Sequence, residues 1–557
     1  MKKIQHLSLD YNYYVDKAID KANALDFLGS LELLRHAQQF TGGRYTDDDY
    51  AVRLEVADSL ADMGLFNESN KEFFKVIAGD IFLEEAFYGI IKNYALLEMP
   101  EQSSYFLRLG TTKRILLADA DLDSETLDFF DDLQEELVHL NSNSKPFKLL
   151  KGDDNTHTLA VARTLLGAHD IEFARQVLLT VPKTSAQHLE ASNYLALIEL
   201  SEGKGAKGLE LCRDILSKNP SDVYALTTEI IALDMQNNLV ELEKKVRALD
   251  ALNVDDISAI TKIALCFCQI NYSVLAHKYL SKSLEVLPYD KELLLLHLLA
   301  SINIANYKTA KETAVKLRAI YPDDAVVLNY ARGLVDSINA SAQYNLLPDL
   351  PKPKRIEYAR LLDKHVNASE SPDDFLKQVQ KNEELQEAVS YALQCDNEAI
   401  AAQIGTYIAI AKRGTMYVKN ILVDPDYSLP VKKEILITYL RSRDVAKREA
   451  LVVNNQLHWL NNKIPKEIVR PEIKSAYWHV YGTLACMGLG DDVKKFNSTA
   501  KKINKALAEL EKLEPSAIAA LLAHKAELHK IFEKPTHACE VFAAKEEVFD
   551  SYSILLL

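Results

Sequence analysis

The feature that most limits how this chain can fold is a phrase written four times at one spacing. Residues 218–226 read KNPSDVYAL; the pattern returns at 252–260 as LNVDDISAI, at 286–294 as VLPYDKELL and, offset by one residue, at 319–327 as AIYPDDAVV. Pro220, Val254, Pro288 and Pro322 fall 34 apart, and so do Asp222, Asp256, Asp290 and Asp324. The chain has only 16 prolines in 557 residues, so three of them in one phase mark a repeated structural unit. A period of this size belongs to stacked supersecondary units, each too small to bury its apolar face alone. Length by itself would suggest three or four domains, but a stacked array sets that estimate aside.

The other positions of the period describe a pair of helices. Small or apolar residues recur in the second helix at Ala174, Gly208, Leu242, Ala276 and Ala310. One turn further on, and so on the same face, stand Leu178, Cys212, Val246, Leu280 and Ala314. The first helix contributes Ala162, Ala196, Ile230, Ala264 and Leu298. Small residues at facing positions let two helix backbones come close, and the Pro–x–Asp step ends one helix and caps the next.

This pattern resembles the tetratricopeptide repeat, in register over about residues 155–322. It departs from the family in lacking the tryptophan of the first helix and in having Leu242 where a small residue belongs. The resemblance implies an all-α solenoid of stacked helix–turn–helix units. A second set precedes it: DFLGSLELLRHAQQF (26–40) and GLFNESNKEFFKVI (64–77) carry the second-helix pattern as Ser30–Leu34–Ala37 and Ser69–Phe73–Val76. Ser103 and Leu107 repeat the latter pair 34 on, with Ala57 and Ile91 in the preceding helices. From Ser30 to Ser69 is 39, so about five residues are inserted, and TGGRYTDDD (41–49) is the expected place.

The expected organisation is then tetratricopeptide-like repeats over 1–112, an acidic connecting segment over 113–154 and period-34 repeats over 155–344. A proline-containing linker follows over 345–370, then a HEAT-like helical segment over 371–465 and a C-terminal helical region over 466–557. The acidic segment contains DADLDSETLDFFDDLQEEL (119–137), with nine carboxylates and no Lys or Arg; a solvated acidic face is favoured over a docking strip for a basic partner. VDPDYSLPVKKEILITYL (423–440) is similar to HEAT repeats, in which an Asp–Pro turn precedes a helix. Pro430 reads as a helix start.

Charge and motifs narrow the function. A net charge of −15 argues against a nucleic-acid binder, which needs a basic footprint. No run of 18 apolar residues predicts a membrane span, and the N-terminus is a poor signal peptide. Six scattered cysteines form no framework, which points to a reducing cytoplasm. Motifs for zinc hydrolysis, CxxC redox chemistry, a nucleophile elbow or a phosphate loop are missing, so no enzyme, cofactor or metal is expected. EGKGAKG (202–208) reads as a turn between paired helices, and Cys266 and Cys268 fall on different helix faces. His524 and His529, five apart, do not align as ligands.

By analogy with the family, first helices line a concave groove. Its inner-face positions bring forward Leu159, Leu166, Leu197, Leu200, Ile231, Leu265, Leu295, Leu299 and Ile302. A carboxylate clamp would place Lys, Asn and Arg there, and only Asn193 and Arg163 remain. The expected function is a scaffold or adaptor holding a partner helix or peptide in that groove, or this chain's own C-terminal segment, whose tail SILLL (553–557) is apolar. The alternative is a regulator of transcription, with a degenerate helix-turn-helix at 536–556 where Glu546, Glu547 and Asp550 would repel DNA.

Overall fold

The computed structural model describes residues 10–41, 46–97, 99–116, 159, 162–163, 166, 171–347, 349–394, 398–442, 449–453 and 456–460. The acidic stretch 119–137, the two histidines near 524–529, the helix-turn-helix at 536–556 and the tail 553–557 lie outside the described residues. The described chain is an all-α solenoid of tetratricopeptide-like repeats with one small hairpin.

The described N-terminal block has six helices: α1 (Tyr11–Asn23), α2 (Phe27–Thr41), α3 (Asp47–Asp62), α4 (Phe66–Gly79), α5 (Glu84–Leu96) and α6 (Pro100–Thr112), each packed on the next, with α3 also reaching α5. Ser30, Ser69 and Ser103 are all buried at the second-helix position. Helix α3 has 16 residues against 13 in α5, and its three extra ones, Asp47, Asp48 and Asp49, fall within the expected 41–49.

The second block continues with α7 (Ile171–Leu178), α8 (His188–Ser201), α9 (Gly205–Lys218), α10 (Val223–Met235), α11 (Leu239–Asp250), α12 (Ile257–Gln269), α13 (Ser273–Val286), α14 (Lys291–Asn303), α15 (Tyr307–Ile320) and α16 (Ala325–Arg332). The period is visible in the starts: α9, α11, α13 and α15 begin 34 apart, and so do α10, α12, α14 and α16. Local chemistry sets those starts. Asp222, Asp256, Asp290 and Asp324 each accept a hydrogen bond from the backbone N–H three residues on, at 2.9, 2.8, 2.9 and 2.9 Å. Between the two helices of a unit, Gly203, Asn237, Asn271 and Ala305 have φ of +75°, +55°, +60° and +58°, the left-handed turn that lets the chain reverse. Glycine and asparagine accept it readily, while Ala305 does so at a cost of roughly 1–2 kcal/mol.

The small residues do what their pattern predicts. Ala162, Ala174, Ala196, Ala264, Ala276 and Ala310 have no exposed surface. A Cβ added at Gly208 would stand 3.0 Å from Leu200 Cγ and 3.2 Å from the Ala196 carbonyl oxygen, so this helix pair meets backbone to backbone.

After α17 (Leu334–Asn339) the described residues up to Leu350 are not helical. The stretch expected as a linker then becomes α18 (Lys352–Ala368), with Pro353 in its first turn, where a missing N–H costs nothing. Helices α19 (Pro372–Lys381), α20 (Glu383–Gln394), α21 (Glu398–Ile410), a 3-10 turn (Lys412–Gly414), α22 (Thr415–Val423) and α23 (Leu429–Ser442) follow. The hairpin of β1 (Glu449–Val453) and β2 (Gln456–Leu460) departs from the helical reading of 371–465. Its signal was present in ALVV–NN–QLHW, β-formers on either side of an asparagine pair.

The C-terminal elements return to the N-terminal block. Helix α4 packs against α22 and β1, and α2 packs against α15. Tyr105 Oη donates to the Leu457 carbonyl at 3.2 Å, and Lys419 Nζ to the Ala78 carbonyl at 2.9 Å. The solenoid thus closes on itself.

Candidate functional site

One in-phase stripe runs along the inner-face positions of the first helices: Leu197, Ile231, Leu265 and Leu299, 34 apart. Its burial alternates. Leu197 and Leu265 are half-buried, Ile231 is buried, and Leu299 has no exposed surface. Of the remaining predicted positions, Leu159, Leu200, Leu295 and Ile302 are buried and Leu166 is half-buried. None of the nine is an open apolar floor. In α14 every residue from Leu293 to Ile302 is buried, so this helix is surrounded on all sides. Asn193 donates to the capping carboxylate of Asp222 at 3.2 Å, and Arg163 lies 3.9 Å from Glu190, so both former clamp candidates serve neighbouring repeats.

Beside the start of α14 and the end of α15 lies a charged junction that the sequence pattern did not point to. Glu72 of α4 is buried and meets Arg35 of α2 at 3.1 Å, Arg53 of α3 at 3.1 Å and Lys75 at 3.3 Å. Arg53 is held in turn by Asp49 at 2.9 Å, and Asp49 accepts from Thr41 Oγ1 at 2.7 Å. Two arms reach from this cluster to the second block. Arg35 Nε donates to the Ala319 carbonyl in the last turn of α15 at 3.0 Å, and Lys75 meets Asp323 at 3.0 Å. A second cluster ties in the α22–α23 turn: Lys71 lies 2.8 Å from Asp424, and Lys291 of α14 lies 2.7 Å from Asp426 and 3.1 Å from Asp324. The Asp–Pro turn read as preceding a helix therefore also joins three parts of the chain.

The charges stand because they are paired. Burial pushes the Glu72 carboxyl up, but Lys75, Arg35 and Arg53 outweigh it and hold the group well below the carboxylate range. Burial likewise opposes the Lys71 ammonium, and Asp424, Glu68 and Asp426 overcome it and raise its pKa. Lys75 holds Asp323 down to about 2. Burial lowers Lys432 to about 8, against the pull of Asp424.

Two cavities, of about 700 and 810 Å³, meet at this junction and share Lys75, Asp323, Gln386 and Asn420 in their walls. The first is lined by the Glu72 cluster together with His36 and Arg318; the second by α19–α22, including Val379, Leu393, Met416 and Tyr427. The Asp323 side chain, 58% accessible, lines both. Lys432, whose lowered pKa would suit a reactive amine, lines neither cavity. Among the described residues no group of His, Cys, Asp and Glu could hold a metal ion, and no helix is long and apolar enough to cross a membrane.

No family model and no curated protein sequence matches the chain. Similar solved structures include a tetratricopeptide repeat protein from Parabacteroides merdae ATCC 43184, at 13% identity and a TM-score of 0.22, covering 54% of this chain and 98% of that one. The TPR domain of P58(IPK) is similar at 14% identity and a TM-score of 0.23, covering 59% and 98%. Yeast Tom70 is similar at 11% identity and a TM-score of 0.19, covering 98% and 94%. Likeness at these values carries no weight for function, and the solenoid assignment rests on this chain's own helices.

Proposed function

We propose that the chain is a non-enzymatic scaffold of the cytoplasm that holds a helix or peptide of another protein against the inner face of its middle repeats. The observation that carries this reading is the in-phase stripe, in which Leu197 and Leu265, two periods apart, keep exposed surface while Ile231 and Leu299 are buried. Helix-in-groove recognition uses such an apolar strip with polar margins. The junction charges are engaged with one another, which supports a mechanical role for them rather than a catalytic one. Cys212, Cys266 and Cys268 are free and buried, in keeping with a reducing compartment.

The test is affinity capture followed by mass spectrometry, comparing wild type with Leu197→Glu/Leu265→Glu. Both side chains are half-buried, so the variant is expected to fold and to lose the proteins that the wild type retains. Leu299→Glu, which would bury an unpaired carboxylate, is expected to unfold instead. A folded double variant that captures the same proteins as wild type counts against the inner face.

A further inference from the structure

Residues 343–347 run along the edge of the solenoid where first helices turn into second helices, and that edge holds them by their main chain. Asn303, the last residue of α14, grips Tyr344 from both sides: Oδ1 accepts from its N–H at 2.8 Å and Nδ2 donates to its carbonyl at 2.8 Å. Asn271, in the α12–α13 turn, accepts from the Leu346 N–H at 3.1 Å. Leu346 is buried, and Leu347, where the strand-like segment leaves the edge, is exposed.

Moved back by one period, Asn303 and Asn271 become Gln269 and Asn237. These are the same two places in the preceding repeats, and both are amides again. Asn237 shares the left-handed backbone of Asn271, at φ +55° against +60°. Both side chains are exposed and without a hydrogen-bond partner among the described residues. A further step back gives Met235 and Gly203, so the amide pair exists in two registers only. Beside the vacant pair the edge is apolar: Met235, Leu239, Val240 and Val274 are exposed by 58, 67, 80 and 70%. Single exposed aliphatics are ordinary, but four on one edge next to two free amides form a surface.

We propose that this edge binds an extended segment of a partner protein in the way the adjoining register binds residues 343–347. The Gln269 and Asn237 amides take its main chain, and Met235, Leu239, Val240 and Val274 take aliphatic side chains at alternate positions. Such recognition draws affinity from main-chain hydrogen bonds and specificity from side-chain contacts. Continuity with the occupied register fixes the class of ligand: extended, uncharged at the gripped residues, and aliphatic. The proposal rests on the scaffold reading; Gln269 stands one turn beyond Leu265 on the same face of α12, whereas Leu197 belongs to a repeat without the amide pair, so a Leu197 variant separates the two.

The probe is a fluorescent peptide with the sequence of residues 342–350, titrated against the full chain by anisotropy. The tethered segment keeps its own register at high effective concentration, which directs the free peptide to the vacant one. Saturable binding is expected, weakened about tenfold or more by Gln269→Ala/Asn237→Ala and by Val240→Asp/Val274→Asp. Asn271→Ala and Leu197→Glu are expected to leave it at or above wild-type affinity. Absence of saturation at millimolar peptide overturns the proposal. So does binding indifferent to the Gln269/Asn237 pair, or a loss that follows Asn271→Ala or Leu197→Glu instead.

Discussion

Glu72→Ala is expected to destabilise the protein by roughly 3–5 kcal/mol, read as the shift in urea unfolding at neutral pH. The residue is buried and neutralises three cations, Arg35, Arg53 and Lys75, on three helices. Truncating it leaves those cations facing each other with most of their water already removed, and that is the costly way to break a buried ion cluster. Arg35 and Lys75 also carry the two arms to Ala319 and Asp323. The loss should therefore appear at the contact between the blocks as well as inside the first one. A change below about 1 kcal/mol, the scale of an exposed pair, would mean that the cluster is solvated.

Acidification is expected to remove about 3 kcal/mol through His297 alone. This ring is buried in α14 between the hydroxyls of Ser281, 3.0 Å from Nε2, and Thr313, 3.3 Å from Nδ1, and is stacked on His277 with centroids 4.7 Å apart. Burial first, then His277 and Lys316, push its pKa from 6.5 down to about 4. Between those values the unfolded chain binds a proton that the folded chain refuses. Stability is thus full above 6.5 and falls as the pH drops toward 4. Glu72 adds loss in the same direction only at lower pH, because its folded carboxyl lies below the ordinary value of 4.5. Urea unfolding at a series of pH values between about 7 and 4 should show this slope, and His297→Gln should flatten it while keeping an amide between the two hydroxyls. An equal slope in both proteins would assign the proton to another group.

The repeats were legible because everything that sets them is local. The Asp caps, the left-handed turn positions and the small residues of paired helices all recur at 34, and each acts within one unit. The inner-face stripe was legible in phase but not in exposure, since how far each side chain is covered depends on packing between helices and not on its place in the period. Lys75 and Asp323 are 248 residues apart, and Lys419 and the Ala78 carbonyl 341 apart. Such pairs leave no periodic trace in one sequence, because Lys and Asp are equally at home on any solvated face. The segment 343–347 escaped notice for a related reason: its partners grip main chain, which has no sequence signature. The hairpin is different, as its Val-Val–Asn-Asn pattern was there to be read.

The closing contact between the two ends of the array is what determines which surface remains for a partner. Hydrogen–deuterium exchange of the full chain, wild type against Lys71→Ala, tests it most directly. Lys71 is the link from α4 to the buried Asp424 of the α22–α23 turn. The account predicts faster exchange in the variant for peptides from α4 and α22 together, with α12 unchanged because it takes no part in the junction. Equal protection of α22 in the two proteins would contradict it.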